Sequence, residues 1–407
     1  MPGPLSHIRV LDLSRVLAAP WAGQNLADLG AEVIKVERPV KGDDSRAFGP
    51  PWLKDANGRD TAESAYFAAA NRGKKSVTLD LSKPAGQDIA RRLVARSDVL
   101  LENYKYGDLS RYGLGYDDLK QSHPRLIYCS VTGFGHSGPY RERPGYDFMI
   151  QGMGGLMSIT GERDDLPGGG PQRVGVPIVD MMTGMYASIA VCAAIAHRAQ
   201  TGVGQHLDLA LLDTQVAFLA NQAMNYLATG EAPGRLGNAH PNIVPYQTFN
   251  TADGAIILAC GNDNLFKKFC EAAGCMELAR DARFASNAKR VENRAVITET
   301  LERLFKLRTT REWVELLEAA GVANGPINDI KQVFEEPQVA ARGMRIDLPH
   351  PSAGSVPLVA SPMRFSATPV EYKLPPPTLG QHTDEVLREL LGMDAAAIAQ
   401  LRESRII

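Results

Sequence analysis

The sequence has little that would build a metal centre or a disulfide scaffold. Five cysteines are spread over 407 residues without a C-x-x-C pair: Cys129, Cys192, Cys260, Cys270 and Cys275. Such spacing favours buried thiols in a reducing compartment, so we expect a cytoplasmic protein. The eight histidines lack ligand spacings such as H-x-x-x-H, and we therefore predict no metal site.

An excess of one charge sign and long hydrophobic runs are also missing. Lys and Arg number 44 against 46 Asp and Glu, and the resulting net charge of −2 offers no field to hold a polyanion. A nucleic-acid partner is therefore not expected. No apolar run reaches the roughly 18 residues of a membrane-spanning helix. Charged residues also interrupt the apolar pattern near the N-terminus, so we expect neither a signal peptide nor a membrane anchor.

A chain of this length exceeds what one hydrophobic core usually organises, so two structural units are expected. In the first part of the chain, short apolar strands alternate with helices. The predicted strands cover residues 8–13, 32–37, 76–81, 98–102 and 126–131, and the predicted helices cover 21–29, 84–96 and 116–122. This alternation predicts an α/β fold in which helices cover a parallel, Rossmann-like sheet.

The rest of the chain predicts a second, smaller domain. Two long apolar helices, at 180–199 and 211–229, precede a linker rich in proline and glycine at 231–245. A hairpin and several helices follow, which is typical of an α+β domain. The predicted organisation is a large domain at 1–230, a small domain at 231–335 and a segment at 336–407 that returns to the large domain.

The turn after the first strand lies where a dinucleotide-binding protein carries G-x-G-x-x-G, and only Gly23 is nearby. A nicotinamide-dependent dehydrogenase is therefore disfavoured. The N–H groups at this helix start still suit an anion. Arg38 and the cluster of Arg72, Lys74 and Lys75 lie at predicted strand edges. They would either bind a nucleotide diphosphate or form ordinary surface charge.

A lone carboxylate, Asp180, stands at the start of a predicted apolar helix. Its plain role would be an N-cap. Alternatively, helix N–H groups keep it ionised while apolar neighbours limit water, and such a carboxylate can act as a nucleophile. His240 lies in the predicted linker, where structural hydrogen bonding is the plainer role and substrate binding the alternative.

Six motifs are distributed along the chain: RVLDLS at 9–14, LGAEVIKVE at 29–37, NRGKKS at 71–76, ENY at 102–104, GYD at 145–147 and LGQHT at 379–383. Together they resemble class III CoA-transferases from end to end. The resemblance implies an interlocked, ring-like homodimer with a Rossmann-like large domain. It also implies that a CoA thioester is a substrate and that no cofactor is permanently bound.

The same resemblance assigns the family's nucleophile to Asp180. CoA is then expected to be held by a set of residues that match the family's contacts: Val16, Ala18, Arg38, Leu79, Asn103, Tyr104 and Arg111. Ser82 stands where a lysine often follows the strand in the family. The resemblance therefore does not predict that this chain makes the lysine's contact to a phosphate of CoA. Tyr146 and Asp147 are expected to line the site.

Residues 236–249 resemble succinyl-CoA:glutarate and related dicarboxylate CoA-transferases more than the formyl-CoA type. The implied donor is succinyl-CoA and the implied acceptor is a dicarboxylate such as glutarate. An unpaired buried charge is costly, so the acceptor's distal carboxylate is expected to meet Arg46, Arg173 or His240.

The implied reaction passes through an aspartyl anhydride and an aspartyl-CoA thioester. Three alternatives stay open. An α-methylacyl-CoA racemase moves a proton and carries histidine in the GYD segment, where this chain has Tyr146. A formyl-CoA or oxalate type of CoA-transferase would differ in its acids, and a non-catalytic CoA-binding protein would not need Asp180.

Overall fold

The computed structural model describes residues 2–407, which form two compact units. The first unit comprises the chain up to Leu156, Val174–Met224 and Gln338–Ile407. The second comprises Met157–Arg173 and Asn225–Pro337. Residues 157–173, which the sequence assigns to the large domain, thus belong to the second unit, and the chain enters that unit at two places.

The strands, in chain order, are β1 Arg9–Asp12, β2 Glu32–Glu37, β3 Trp52–Lys54, β4 Asp60–Ser64, β5 Lys74–Thr78, β6 Val99–Glu102, β7 Ile127–Thr132, β8 His206–Ala210, β9 Tyr246–Asn250, β10 Ala255–Ala259, β11 Ala323–Pro326, β12 Arg345–His350 and β13 Gly354–Val359.

The α-helices are α1 Ala18–Asp28, α2 Ala65–Ala69, α3 Pro84–Val94, α4 Tyr116–Leu119, α5 Asp147–Met153, α6 Leu156–Ile159, α7 Ile178–Thr201, α8 Leu211–Ala217, α9 Ala220–Thr229, α10 Asp263–Ala273, α11 Met276–Arg280, α12 Asn287–Glu292, α13 Arg294–Phe305, α14 Thr310–Ala319, α15 Ile330–Glu335, α16 Pro337–Ala341, α17 Thr383–Leu391 and α18 Ala395–Glu403.

A six-stranded parallel sheet organises the first unit, with strand order β5-β2-β1-β6-β7-β8. This confirms the predicted α/β class. The order reverses between β1 and β6, and in such sheets ligands bind outside the carboxyl ends of the strands at that point. The sequence missed β8, which the structure places at the edge beside β7.

Both faces of this sheet are buried, because successive side chains of a strand point to opposite sides. Leu11, Ile34 and Leu100 face a core completed by α3, α17 and α18, whereas Val10 and Val33 face a core completed by α1 and α7. The near-continuous apolar runs of these strands are what a doubly covered parallel sheet requires.

The LGQHT motif closes the other edge of the sheet. Ser76 in β5 donates its backbone N–H to Nδ1 of His382 at 3.1 Å, and Thr78 donates its own to Oγ1 of Thr383 at 3.0 Å. An unpaired edge strand exposes N–H groups that invite pairing with other chains. The C-terminal motif therefore has a structural role in this chain.

The second unit is built around an antiparallel sheet of order β11-β10-β9. Its core is aromatic: Phe249 stacks on Phe305 with ring centroids 4.8 Å apart, and Trp313 contacts Phe305 at 4.6 Å. All three side chains are buried. Helices α10, α13 and α14 supply the remaining apolar surface.

Helix α7 corrects the sequence expectation about long apolar segments. By length and composition it could cross a membrane, since its most apolar 18-residue window has a mean hydropathy of 1.7. Only 39% of that window is buried within the chain. Val179, Ala187 and Val191 face the core of the first unit, while other apolar side chains of this helix are exposed.

The predicted helix at 211–229 is divided into α8 and α9, with Ala220 at a positive φ of 43°.

Candidate active site

A cavity of about 190 Å³ lies at the carboxyl ends of β1, β6 and β7 in the first unit. It is lined by Asp180 and by five other predicted site or CoA-contact residues: Val16, Ala18, Asn103, Tyr104 and Tyr146. A second cavity of about 230 Å³ is lined by Arg38 and Leu79, and shares Arg15 and Tyr104 with the first. The two cavities therefore adjoin at the point where the strand order reverses.

The turn between β1 and α1 is held by side chains from the loops that follow β6 and β2. Asn103 accepts the backbone N–H of Arg15 at 2.8 Å and donates to the carbonyl of Arg15 at 2.6 Å. Val16 donates its N–H to Asp43 at 3.0 Å and adopts a φ of 70°. A β-branched residue rarely occupies that region, and such strain is typical of ligand-binding turns.

Buried lysines support this turn from below. Lys35 pairs with Asp43 at 2.8 Å, both side chains being fully buried, and its Nζ also donates to the carbonyl of Ser14. Lys74 pairs with Asp12 at 2.9 Å in the same interior. Arg72 is likewise buried against Asp28, with Nε donating to Oδ1 at 2.9 Å. The prediction that Arg72 and Lys74 bind a nucleotide or remain solvated was therefore wrong.

Asp180 is the third residue of α7, whose N-cap position is occupied by Pro177. The carboxylate that accepts the helix N–H groups is instead Asp147, the first residue of α5. Its Oδ1 lies 2.7 Å from the backbone nitrogen of Val179 and 3.3 Å from that of Asp180. The N-cap interpretation of Asp180 was therefore wrong.

The electrostatic setting of Asp180 also differs from the expectation. Burial, and after it the negative charge of Asp147, raises the pKa of the Asp180 carboxyl to about 7. The sequence predicted that helix N–H groups would keep this carboxylate ionised, but Asp147 takes those groups. Near neutrality Asp180 is consequently a mixture of acid and carboxylate, and its ionised form is basic.

The GYD motif has a steric basis. A Cβ on Gly145 would lie 2.3 Å from the Cα of Gly133, and a Cβ on Gly133 would lie 2.5 Å from the Cα of Gly145. Two backbone segments thus touch at the rim of the cavity, a contact open only to glycine. This contact fixes where Tyr146 and Asp147 leave the loop. Tyr146 is 70% exposed, whereas Asp147 is buried.

Two further predicted residues of the first unit, Arg46 and Arg111, do not line the cavity that holds Asp180. Arg46 donates from Nε and Nη2 to Glu37 at 2.7 and 2.8 Å, and its guanidinium stacks on Phe67 at 3.7 Å. This buried pair makes Arg46 a structural residue of the loop after β2. Arg111 pairs with Asp108 on the surface.

Two predicted residues lie in the second unit. Arg173 is exposed there. His240 accepts the N–H of Asn242 at Nδ1, 3.1 Å away. Burial and the neighbouring Arg294 lower the pKa of His240 below its usual value.

Sequence reasoning missed the cations on the rim of the Asp180 cavity: Arg15, Lys105, Arg141 and Arg143. The guanidinium of Arg143 lies over the Tyr140 ring at 4.5 Å and the Phe134 ring at 5.4 Å. Arg141 lies over Tyr106 at 4.8 Å. The available signal was the occurrence of two arginines shortly after two aromatic residues in the segment 134–143, because aromatic faces hold guanidinium groups in place.

Tyr66 is a second residue that the sequence did not reveal. Burial, followed by the charges of Asp180, Asp147 and Asp43, raises the pKa of its phenol to about 12. Tyr66 is therefore a neutral hydroxyl in the field of the same carboxylates.

Within residues 2–407, no group of three or more His, Cys, Asp or Glu side chains is arranged to hold a metal.

Comparison with known proteins identifies the family. The model of CoA-transferase family III matches residues 5–383. The chain is 48% identical over 394 residues to a succinate–glutarate CoA-transferase of Agrobacterium fabrum, covering 97% of each protein. It is 43% identical to succinyl-CoA:glutarate CoA-transferase of Mus musculus, covering 99% of this chain and 90% of that protein.

A crystal structure of a CaiB/BaiF family protein from Brucella suis has a TM-score of 0.83 to this chain at 50% identity, covering 96% of this chain and 100% of that one. The resemblance predicted from the six motifs is therefore confirmed. The chain belongs to CoA-transferase family III and is an enzyme of the transferase type.

Proposed function

We propose that this enzyme moves CoA from succinyl-CoA to a dicarboxylate such as glutarate, with Asp180 as the nucleophile. The observation that carries the proposal is the position of Asp180. It lines one cavity with the strained β1–α1 turn and with Asn103 and Tyr104, the residues expected to hold CoA. The names of the relatives from Agrobacterium fabrum and Mus musculus support the choice of acids.

The cycle begins when an Asp180 oxygen attacks the thioester carbonyl carbon of succinyl-CoA. A C–O bond forms, the C–S bond breaks, and the electron pair leaves on the CoA sulfur. The thiolate then attacks the aspartyl carbonyl, which gives an aspartyl-CoA thioester and releases succinate. The acceptor carboxylate then attacks the aspartyl carbonyl of this thioester, so that a second anhydride forms, the C–S bond breaks and the CoA thiolate leaves. The thiolate attacks the acceptor's acyl carbon, which gives the new acyl-CoA and returns Asp180 as a carboxylate. CoA is thus a substrate throughout.

The acceptor's second carboxylate requires a cation, since an unpaired charge in a cavity is costly. Arg46 is occupied by Glu37. Arg143 lines the cavity with Asp180 and is held by two aromatic faces. We therefore assign the distal carboxylate to Arg143, at the rim of the site.

We also retain the prediction of a homodimer. Three large apolar side chains of α7, Met185, Tyr186 and Ile189, are exposed in the single chain, as is Val216 of α8. Several large apolar side chains exposed on one helix are typical of an interface. A second copy of the chain is the occupant that the family resemblance implies. Sedimentation of the purified protein tests this, and a monomer at micromolar concentration would contradict it.

Trapping of the enzyme intermediate tests the main proposal. After incubation with succinyl-CoA, hydroxylamine should convert Asp180 to a hydroxamate that mass spectrometry locates. Asp180→Asn should lower the transfer rate to glutarate by about 10³-fold or more, because the covalent route is removed. Transfer that survives in Asp180→Asn would contradict the assignment. Racemisation of an α-methylacyl-CoA without labelling would favour proton transfer instead, and CoA binding without turnover would indicate a binding protein.

A further inference from the structure

Asp147 is buried beside the nucleophile, and its carboxylate accepts three hydrogen bonds. Oδ1 accepts the N–H groups of Val179 and Asp180, and Oδ2 accepts Nε2 of Gln151 at 2.7 Å. An ionised carboxylate accepts hydrogen bonds and donates none, which fits this set of partners. Asp147 is 8% exposed and Gln151 is fully buried.

Gln151 extends this network to the segment that leads into α7. Its Oε1 accepts the N–H of Val174 at 2.9 Å. Asp147 and Gln151 of α5 therefore hold both the first turn of α7 and the chain segment that precedes it. A displacement of the first turn of α7 would break these hydrogen bonds.

The charges around Asp180 come from several elements. Asp147 belongs to α5 and Tyr66 to α2, and both interact electrostatically with Asp180. The other charged residues that line the cavity lie in loops or at its rim: Arg15, Asp44, Lys105, Arg141 and Arg143. Within residues 2–407 no salt bridge joins a cation to Asp180. Asp147 is therefore the charge that acts on it most directly.

We propose that Asp147 is the positioning residue for the nucleophile: it anchors the first turn of α7 and, by its negative charge, favours departure of charge from Asp180 when the acyl bond forms. This inference rests on the proposed function. In the attack, the Asp180 oxygen forms a C–O bond and the C–S bond of the thioester breaks. Negative charge moves from Asp180 to the CoA sulfur without proton transfer, so repulsion between the two carboxylates is relieved.

Two variants separate the charge of Asp147 from its hydrogen bonds. Asp147→Asn removes the charge but leaves its Nδ2 facing Nε2 of Gln151. In the double variant Asp147→Asn with Gln151→Glu, the new Glu can accept from both Asn Nδ2 and the Val174 N–H. The double variant thus keeps the hydrogen bonds and the net charge, while the negative charge lies one side chain further from Asp180.

The measurement is the pH dependence of kcat/KM for transfer from succinyl-CoA to glutarate. In the wild type, activity should rise with pH around the pKa of Asp180, about 7, since the carboxylate is the nucleophile. In the double variant the midpoint should move to lower pH, and kcat/KM on the alkaline plateau should fall about tenfold because the carboxylate becomes less basic. Thermal unfolding measured at about pH 4, where the Asp180 carboxyl is protonated in the folded protein, should be unchanged, which shows that α7 is still anchored.

A wild-type midpoint and plateau in the double variant would overturn the proposal, since the position of the charge would then have no effect. An unmoved midpoint with lower activity would reduce Asp147 to a structural residue and would also overturn it. Failure of the proposed function is a separate result. In that case Asp180→Asn would retain transfer, whatever the behaviour of the Asp147 variants.

Discussion

Around Asp12 and Asp43 each buried carboxylate faces a lysine, whereas the carboxylate of Asp180 faces another carboxylate. Burial opposes ionisation in both regions. At Asp12 the charges of Lys74 and Lys35 outweigh burial and hold the pKa below its usual value, and at Asp43 Lys35 does the same. At Asp180 burial and Asp147 act together, and the pKa rises to about 7.

The comparison teaches that burial alone does not decide what a carboxylate does. A paired carboxylate is stable as an anion and is a poor nucleophile, so it suits a scaffold that holds the β1–α1 turn in place. A carboxylate next to like charge gains stability when it loses its own charge. Acylation has that effect, which makes the Asp180 region reactive and the Asp12 region inert.

The largest expected effect comes from breaking a scaffold pair. Lys35→Met should lower the free energy of unfolding by about 3–5 kcal/mol, because Asp43 would be left buried without its cation. Chemical denaturation measures this. Lys41→Met is the matched control, since Lys41 lies in the loop that follows β2 and is exposed, and it should change stability by less than about 0.5 kcal/mol. Equal effects of the two variants would contradict the structural role of the Lys35 pair.

Removing the charge of the nucleophile is expected to raise the free energy of unfolding, whereas breaking a scaffold pair lowers it. The folded-state pKa of Asp180 is raised from 3.8 to about 7, so ionisation destabilises the folded protein as pH rises through that range. Asp180→Asn should therefore be more stable than the wild type at pH 8, by about 1–3 kcal/mol after allowance for partial exposure. The difference should vanish at about pH 3, where the carboxyl is protonated in the folded and the unfolded chain alike. Thermal denaturation at the two pH values measures it, and a variant that is less stable at pH 8 would contradict the raised pKa.

The sequence predicted the sheet because its strands are short apolar runs separated by helices, which is the pattern of a doubly covered sheet. It missed β8, since His206 and Asp208 interrupt the apolar pattern there. The scaffold pairs were also beyond sequence reasoning. Lysine is rarely buried. Nothing in the sequence around Lys35 or Lys74 shows that these side chains form buried ion pairs with Asp43 and Asp12.

The site was predictable only in part. Family motifs pointed to Asp180, and the structure brings it into one cavity with Val16, Asn103 and Tyr104. The capping carboxylate, however, lies 33 residues earlier in the chain. A local pattern cannot show that a residue of α5 takes the N–H groups of α7, because the contact depends on how the two helices pack. The same holds for Arg143, which lines the cavity two residues before the contact between Gly133 and Gly145.

The smallest expected effect concerns the preference for the acceptor acid, which we assign to the cations at the rim of the Asp180 cavity. Arg143→Gln should reduce kcat/KM for glutarate about tenfold, as expected for loss of one charged contact. Pentanoate has a methyl group in place of the distal carboxylate, and its kcat/KM should not change. Arg141→Gln is the matched control, because Arg141 lines the same cavity but lies 3.5 Å from Glu142. Its selectivity should stay close to that of the wild type. A parallel loss for glutarate and pentanoate would mean that Arg143 acts on CoA or on the loop, and that the distal carboxylate is bound elsewhere.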